Sequence, residues 1–120
     1  MAVYRSLASL LVCLVMAGCG TFSSKGEPEL GFGIRAFEDG EHVYAARLLQ
    51  LSLDAGLRGT SNRASAHKYL AFIHCASSRI QQCRDEFKMA LEVDSSFDLR
   101  DDEAGHPIWG PAFRSVKPKK

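Results

Sequence analysis

The chain has 120 residues, 15 of them basic and 14 acidic, for a net charge of +1. That length suits one domain, and so even a charge balance excludes the basic stripe with which a nucleic-acid binder releases phosphate counterions. The only basic cluster, residues 117–120 (Lys117, Pro118, Lys119 and Lys120), reads as a solvated tail.

The amino terminus comes first. From Leu7 to Met16 the chain is almost wholly apolar, with Arg5 before it and the small residues Ala17 and Gly18 after it, which is the layout of an export signal. A membrane-spanning helix needs roughly 20 apolar residues and this run is about half that. Residues 1–18 are therefore expected to be cleaved. The sequence Val15, Met16, Ala17, Gly18, Cys19 resembles the bacterial lipobox, with Met16 where that pattern usually has Leu. The resemblance implies a lipoprotein acylated at Cys19, with ordinary signal cleavage or an uncleaved anchor as the alternatives. Each buried acyl methylene contributes on the order of 0.8 kcal/mol, so several chains anchor the protein to a membrane. Gly20, in place of Asp after the cysteine, implies by likeness to enterobacterial lipoproteins an outer-membrane location facing the periplasm, with the inner membrane as the alternative. Residues 19–28 read as a lipidated tether that reaches roughly 30 Å when extended.

Between Leu30 and Phe97 the apolar spacing predicts four helices and an all-α fold. In the second, Ala45, Leu48, Leu49, Ser52 and Leu53 form one stripe, preceded by an Asp39–Gly40 turn and stopped by a left-handed Gly56. In the fourth, Ile80, Cys83, Phe87, Ala90 and Leu91 share a face, while Gln82, Asp85, Lys88 and Glu92 turn to water. Gly40, Ala45, Leu49, Ser52 and Leu53 map onto Ser78, Cys83, Phe87, Ala90 and Leu91 with a uniform shift of 38, which is an internal repeat.

This repeat resembles the tetratricopeptide repeat, a unit of 34 residues, with the difference assigned to an extra stretch from Arg58 to Asn62. Leu70 and Ala71 stand at that family's Leu and Gly, Cys83 at its small Ala, Phe87 at its aromatic and Ala90 at its second Ala. His67 and His74 replace its Trp and Tyr. Gly33 and Ala45 serve as the small contact residues of the first copy. Residues 29–97 are thus expected to form two such hairpins, or a generic pair of helical hairpins without repeat ancestry. Stacked repeats need their end faces covered, so residues 98–116 are expected to cap one end. Pro107 suits the first turn of a short capping helix, Gly110 with Pro111 is expected to interrupt or end it, and Trp109 and Phe113 lie four apart as a docking face requires.

Of the four cysteines, Cys13 leaves with the signal and Cys19 carries lipid, leaving Cys75 and Cys83. Each lies four residues from a turn near Arg79, at equal height on two antiparallel helices. A disulfide is expected, two buried free thiols being the alternative. His67, His74 and the cysteines lack paired metal-ligand spacing, and His106 reads as a hydrogen-bonding cap. No metal or cofactor is expected. Without a glycine-rich phosphate loop, a serine nucleophile elbow or an isolated carboxylate pair, an enzyme is not expected either.

In the repeat family the first helix of each unit lines a concave binding surface. By position this assigns partner contacts to Ile34, Phe37, Lys68, Tyr69 and Phe72, with Trp109 added from the capping segment; Phe37 and Phe72 serve equally well as core. The run from His67 to Cys75, then Cys83, and the ending Gly105, His106, Pro107, Ile108, Trp109, Gly110, Pro111 together resemble small lipoproteins that accompany type VI secretion systems. The resemblance implies a non-enzymatic scaffold whose partner is an envelope protein of the secretion machine. The alternatives are an assembly or pilot lipoprotein for a secretin or type IV pilus, and a small hydrolase or metal-binding protein.

Overall fold

The structure, a computed structural model, describes residues 26–119. The signal segment and Cys19 lie outside the described residues, as does Lys120. Six helices and no strand are found among the described residues: α1 (Glu27–Glu38), α2 (His42–Ala55), α3 (Gly59–Ala76), α4 (Ile80–Val93), α5 (Asp101–Ala104) and α6 (Trp109–Val116). The first hairpin is α1 with α2 and the second α3 with α4; α2 packs on α3, while α6 packs on α4 with α5 beside it. The fold is all-α, two hairpins closed at one end by a capping helix.

α1 starts at Glu27, before the expected end of the tether at 28. Pro28 and the acids Glu27 and Glu29 favour a first turn, and Arg35 sits in the last turn, where its charge complements the helix dipole. The amide of Gly26 donates to the carbonyl of Gly56 at 3.1 Å, which seats the start of α1 against the end of α2. Gly56 does end α2 with a positive φ, but its ψ of 129° is extended rather than left-handed helical. The extra stretch is helical: after Arg58, residues Gly59 to Asn62 form the first turn of α3, an 18-residue helix against 12 residues in α1. An added helical turn therefore lengthens the spacing between the two hairpins.

The backbone repeats where the side chains do not. α2 and α4 are each 14 residues long, and the shift of 38 superposes both their ends. Gly40 donates to the carbonyl of Phe37 at 3.0 Å and Glu41 to that of Ala36 at 2.9 Å; Ser78 donates to Cys75 at 3.1 Å and Arg79 to His74 at 2.8 Å. Both pairs make the crossed closure of a Schellman turn. The residue at its left-handed position is Gly40 (φ +80°) in one copy and Ser78 (φ +62°) in the other.

Small residues let the helices of each hairpin approach. Gly33 and Ala45 are buried in the first, and their counterparts Ala71 and Cys83 in the second. Two apolar clusters result. One joins Leu30, Leu48 and Leu49 to Ala66, Leu70 and Ile73; the other joins Ala71, Phe72, Cys75, Cys83 and Phe87 to Leu99, Ala112 and Phe113. α3 contributes to both, so it is the spine of the molecule.

Gly110 and Pro111 open the last helix instead of ending it. A proline in the first turn of a helix lacks only an amide that has no partner there. A Cβ on Gly110 would meet the Ala104 carbonyl oxygen at 2.3 Å, so only glycine lets α6 lie this close to α5. His106 is the cap the sequence suggested: its Nδ1 accepts the amides of Ile108 at 3.1 Å and Trp109 at 3.3 Å. Lys117 is not part of a free tail, because its Nζ donates to the Asp98 carboxylate at 2.7 Å.

Candidate functional site

Where the two hairpins meet the C-terminal segment, aromatic rings from four elements converge. Phe37, near the end of α1, lies 5.3 Å from the rings of His42 and Tyr69, 5.9 Å from Phe72 and 6.4 Å from Trp109. Phe72 stacks on Trp109 at 4.2 Å, and His106 stacks on the Trp109 ring at 3.4 Å. Phe87 and then Phe113 continue the chain of rings into the second core cluster at 6.0 and 5.2 Å.

Glu103 fastens this arrangement. Its carboxylate pairs with Lys68 at 2.9 Å, with side-chain exposures of only 7% and 12%, and it also accepts the backbone amide of Arg100 at 3.0 Å. Its carbonyl oxygen accepts the indole Nε1–H of Trp109 at 2.9 Å. One residue thus holds both the cation of α3 and the ring of α6. The Lys68 ammonium in turn sits 4.8 Å from the centre of the Tyr69 ring, at cation–π distance. Burial pushes the Tyr69 phenol above its usual range, and the Glu103, Glu38 and Asp102 carboxylates push the same way against Arg100. Tyr69 therefore stays a neutral phenol, partly exposed and rimmed by charges of both signs.

Of the expected partner contacts, Phe37, Tyr69, Phe72, Lys68 and Trp109 come together, whereas Ile34 packs half-buried against the first core cluster. Phe72 is a core residue and not a contact: it is 2% exposed and covered by Trp109. Lys68 is likewise engaged within the molecule. The chain's own C-terminal segment covers part of the surface the sequence had assigned to a partner. The half-buried edges of Phe37, His42, Tyr69 and Trp109 remain open. Sequence reasoning missed His42 and Glu103. The signal for Glu103 was its place three residues after Arg100, where a helix-start acid reaches back to a free amide.

Cys75 and Cys83 lie at disulfide distance, with Cα atoms 5.2 Å apart, and both are buried. The histidines take other partners. His67 Nδ1 bonds the Glu86 carboxylate at 2.6 Å across α3 and α4, and His74 Nδ1 accepts from Arg79 Nε at 2.9 Å. His74 is half-buried in the last turn of α3. Burial first, and then the Arg79 charge, depress its pKa, with Glu86 opposing. Among the described residues no group of three or more His, Cys, Asp or Glu is placed to hold a metal ion. No family model, curated protein or solved structure matches the chain.

Proposed function

We propose that the protein is a lipid-anchored, non-enzymatic scaffold of the bacterial envelope, an accessory lipoprotein of a type VI secretion machine built on two tetratricopeptide-like hairpins. The observation that carries the binding reading is the aromatic cluster: half-buried Phe37, Tyr69 and Trp109 beside a rim of Glu38, Arg100 and Asp102. Rings held rigid by core packing lose little entropy on contact, and a charged rim around apolar anchors is the usual anatomy of a protein-binding hot spot. The anchor reading rests on the Val15–Cys19 segment, and only seven residues separate Cys19 from α1 at Glu27. Such a tether keeps the domain within about 25 Å of the membrane.

The experiment has two readouts. Cells grown with labelled palmitate are expected to yield a labelled, membrane-associated protein, and Cys19→Ser is expected to lose both properties. Co-purification from detergent-solubilised envelope, repeated with Phe37→Ala plus Tyr69→Ala, then tests the surface. Loss of a type VI component with the double variant supports the proposal; an unlabelled wild-type chain in the cytosol overturns the anchor. A secretin or pilus component as the captured partner replaces the secretion-system assignment.

A further inference from the structure

His106 does more than start a helix. Its Nδ1 accepts the amides of both Ile108 and Trp109, and its carbonyl accepts the amide of Gly110 at 3.1 Å, so a single residue satisfies the donors at the opening of α6. The next position, Pro111, has no amide to satisfy. A backbone amide can only donate, so Nδ1 must carry a lone pair, and the proton of the neutral ring lies on Nε2. The same imidazole lies on the Trp109 indole, 3.4 Å away and 10° from parallel, while Phe72 stacks on Trp109 at 4.2 Å. The cap of α6 and the seat of Trp109 on the core therefore depend on one titratable ring, half-buried and within reach of solvent protons.

We propose that His106 is a proton-operated latch on the aromatic cluster: a proton taken up at Nδ1 turns the acceptor into a donor, opens the first turn of α6 and frees Trp109 from Phe72. Two effects drive the opening. The imidazolium sets an N–H against two amide N–H groups, and it puts a positive charge at the positive end of the α6 dipole. The attraction of a cation for the indole face opposes them. At a half-exposed site, that one contact does not offset two lost bonds and an unfavourable charge. The opening stays local, because Ala112 and Phe113 hold the rest of α6 in the second core cluster. The titratable groups of the elements that meet here are Asp101, Asp102 and Glu103 of α5, Lys68 of α3, Glu38 of α1 and Arg114 of α6, with His42 of α2 beyond the Phe37 ring. Glu103 pairs with Lys68, Asp102 with Arg100, and Arg114 donates to the Ala104 carbonyl at 3.2 Å. His42 is the second imidazole of the cluster and needs its own control. The latch regulates the surface proposed above and rests on that reading only for its use; it is tested without a partner, so the two fail separately.

Trp109 is the only tryptophan of the chain, so its emission reports the latch. The full chain in non-ionic detergent is taken from about pH 8 to about pH 5, the range in which imidazoles titrate. The emission maximum is expected to move reversibly to the red and acrylamide quenching to become roughly twofold stronger, with a nearly unchanged far-ultraviolet circular dichroism spectrum because one helical turn opens. His106→Asn keeps an acceptor at the cap that takes up no proton. It should fold as the wild type does and lose the response, whereas His42→Gln should keep it. Constant quenching of the wild type over this range overturns the proposal, as does a normal response in His106→Asn, which assigns the change to another group. Loss of the response in His42→Gln alone moves the effect to His42 and overturns it too. So does a change of intensity at constant quenching, which reports charge on a ring that has stayed stacked.

Discussion

The two hairpins share one backbone and are stabilised by different chemistry. At equivalent places the first has Phe37 and Ala45 where the second has Cys75 and Cys83, Leu49 where the second has Phe87, and Ala36 where the second has His74. The first is held by aliphatic packing and leaves Phe32 and Tyr44 open; the second adds a cysteine pair, the His67–Glu86 bond and the cover of α6. A repeat geometry fixed by small residues and crossed turn bonds accommodates either solution. The second hairpin can therefore serve as the rigid base against which the C-terminal segment is anchored.

Core truncations should separate the hairpins most. Phe87→Ala is expected to cost about 3–5 kcal/mol, because Phe87 is fully buried between the Phe72 and Phe113 rings. Leu49→Ala, at the matching position, should fall in the lower part of its range of about 2–5 kcal/mol, and urea unfolding midpoints compare the two. An equal loss at both would mean that α6 adds nothing to the second hairpin. Next comes Glu103→Ala, which leaves Lys68 buried without its partner and is expected to cost about 3 kcal/mol. Trp109 fluorescence should shift to the red as α5 and α6 loosen; an unshifted spectrum would refute the fastening role.

Replacing Cys75 and Cys83 together by serine removes a short covalent loop, with an expected loss of about 2–3 kcal/mol in the chain-entropy picture. Mass measurement of the unreduced protein first establishes the bond, and two free thiols would remove the difference between the hairpins. Ser78→Gly makes the second turn like the first. It should change stability by about 0.5–1 kcal/mol in the favourable direction, since Ser78 holds a left-handed φ of 62°. A loss would show that the serine side chain contributes more than its strain costs.

The smallest effect is one of pH. Because the His74 pKa is depressed in the folded state, the unfolded chain binds the extra proton first. The contribution of neutral His74 is complete above the ordinary value of 6.5 and is lost as pH falls from there through the folded value. The thermal midpoint should therefore drop on mild acidification, less so in His74→Gln. A curve unchanged by that substitution would assign the pH dependence to other groups.

Much of this architecture is legible in the sequence. The apolar stripes of α2 and α4, the turns at Gly40 and Ser78, the small residues at 33, 45, 71 and 83 and the capping histidine at 106 follow from local rules, because helix period and turn conformation depend on residues a few positions apart. The start of α6 did not. Gly110 and Pro111 look like helix breakers in isolation, and only the closeness of the Ala104 carbonyl makes them a helix start. The same limit applied to the candidate site. Residue types identified Phe37, Tyr69, Phe72 and Trp109 as aromatics at helical spacing, but whether each ring faces solvent or another ring depends on segments 30 or more positions away.

What the residues alone determined was therefore periodic and local: four helices, their inner faces, the shift of 38 that relates the two hairpins, and a cysteine pair equidistant from one turn. What the tertiary structure decided was the choice among surfaces. It buried Phe72 beneath Trp109, joined Lys68 to Glu103, and left Phe32 in water while its counterpart Leu70 is covered. Burial is a property of what packs against a residue, and in a repeat protein identical backbone positions receive different neighbours at the two ends of the stack.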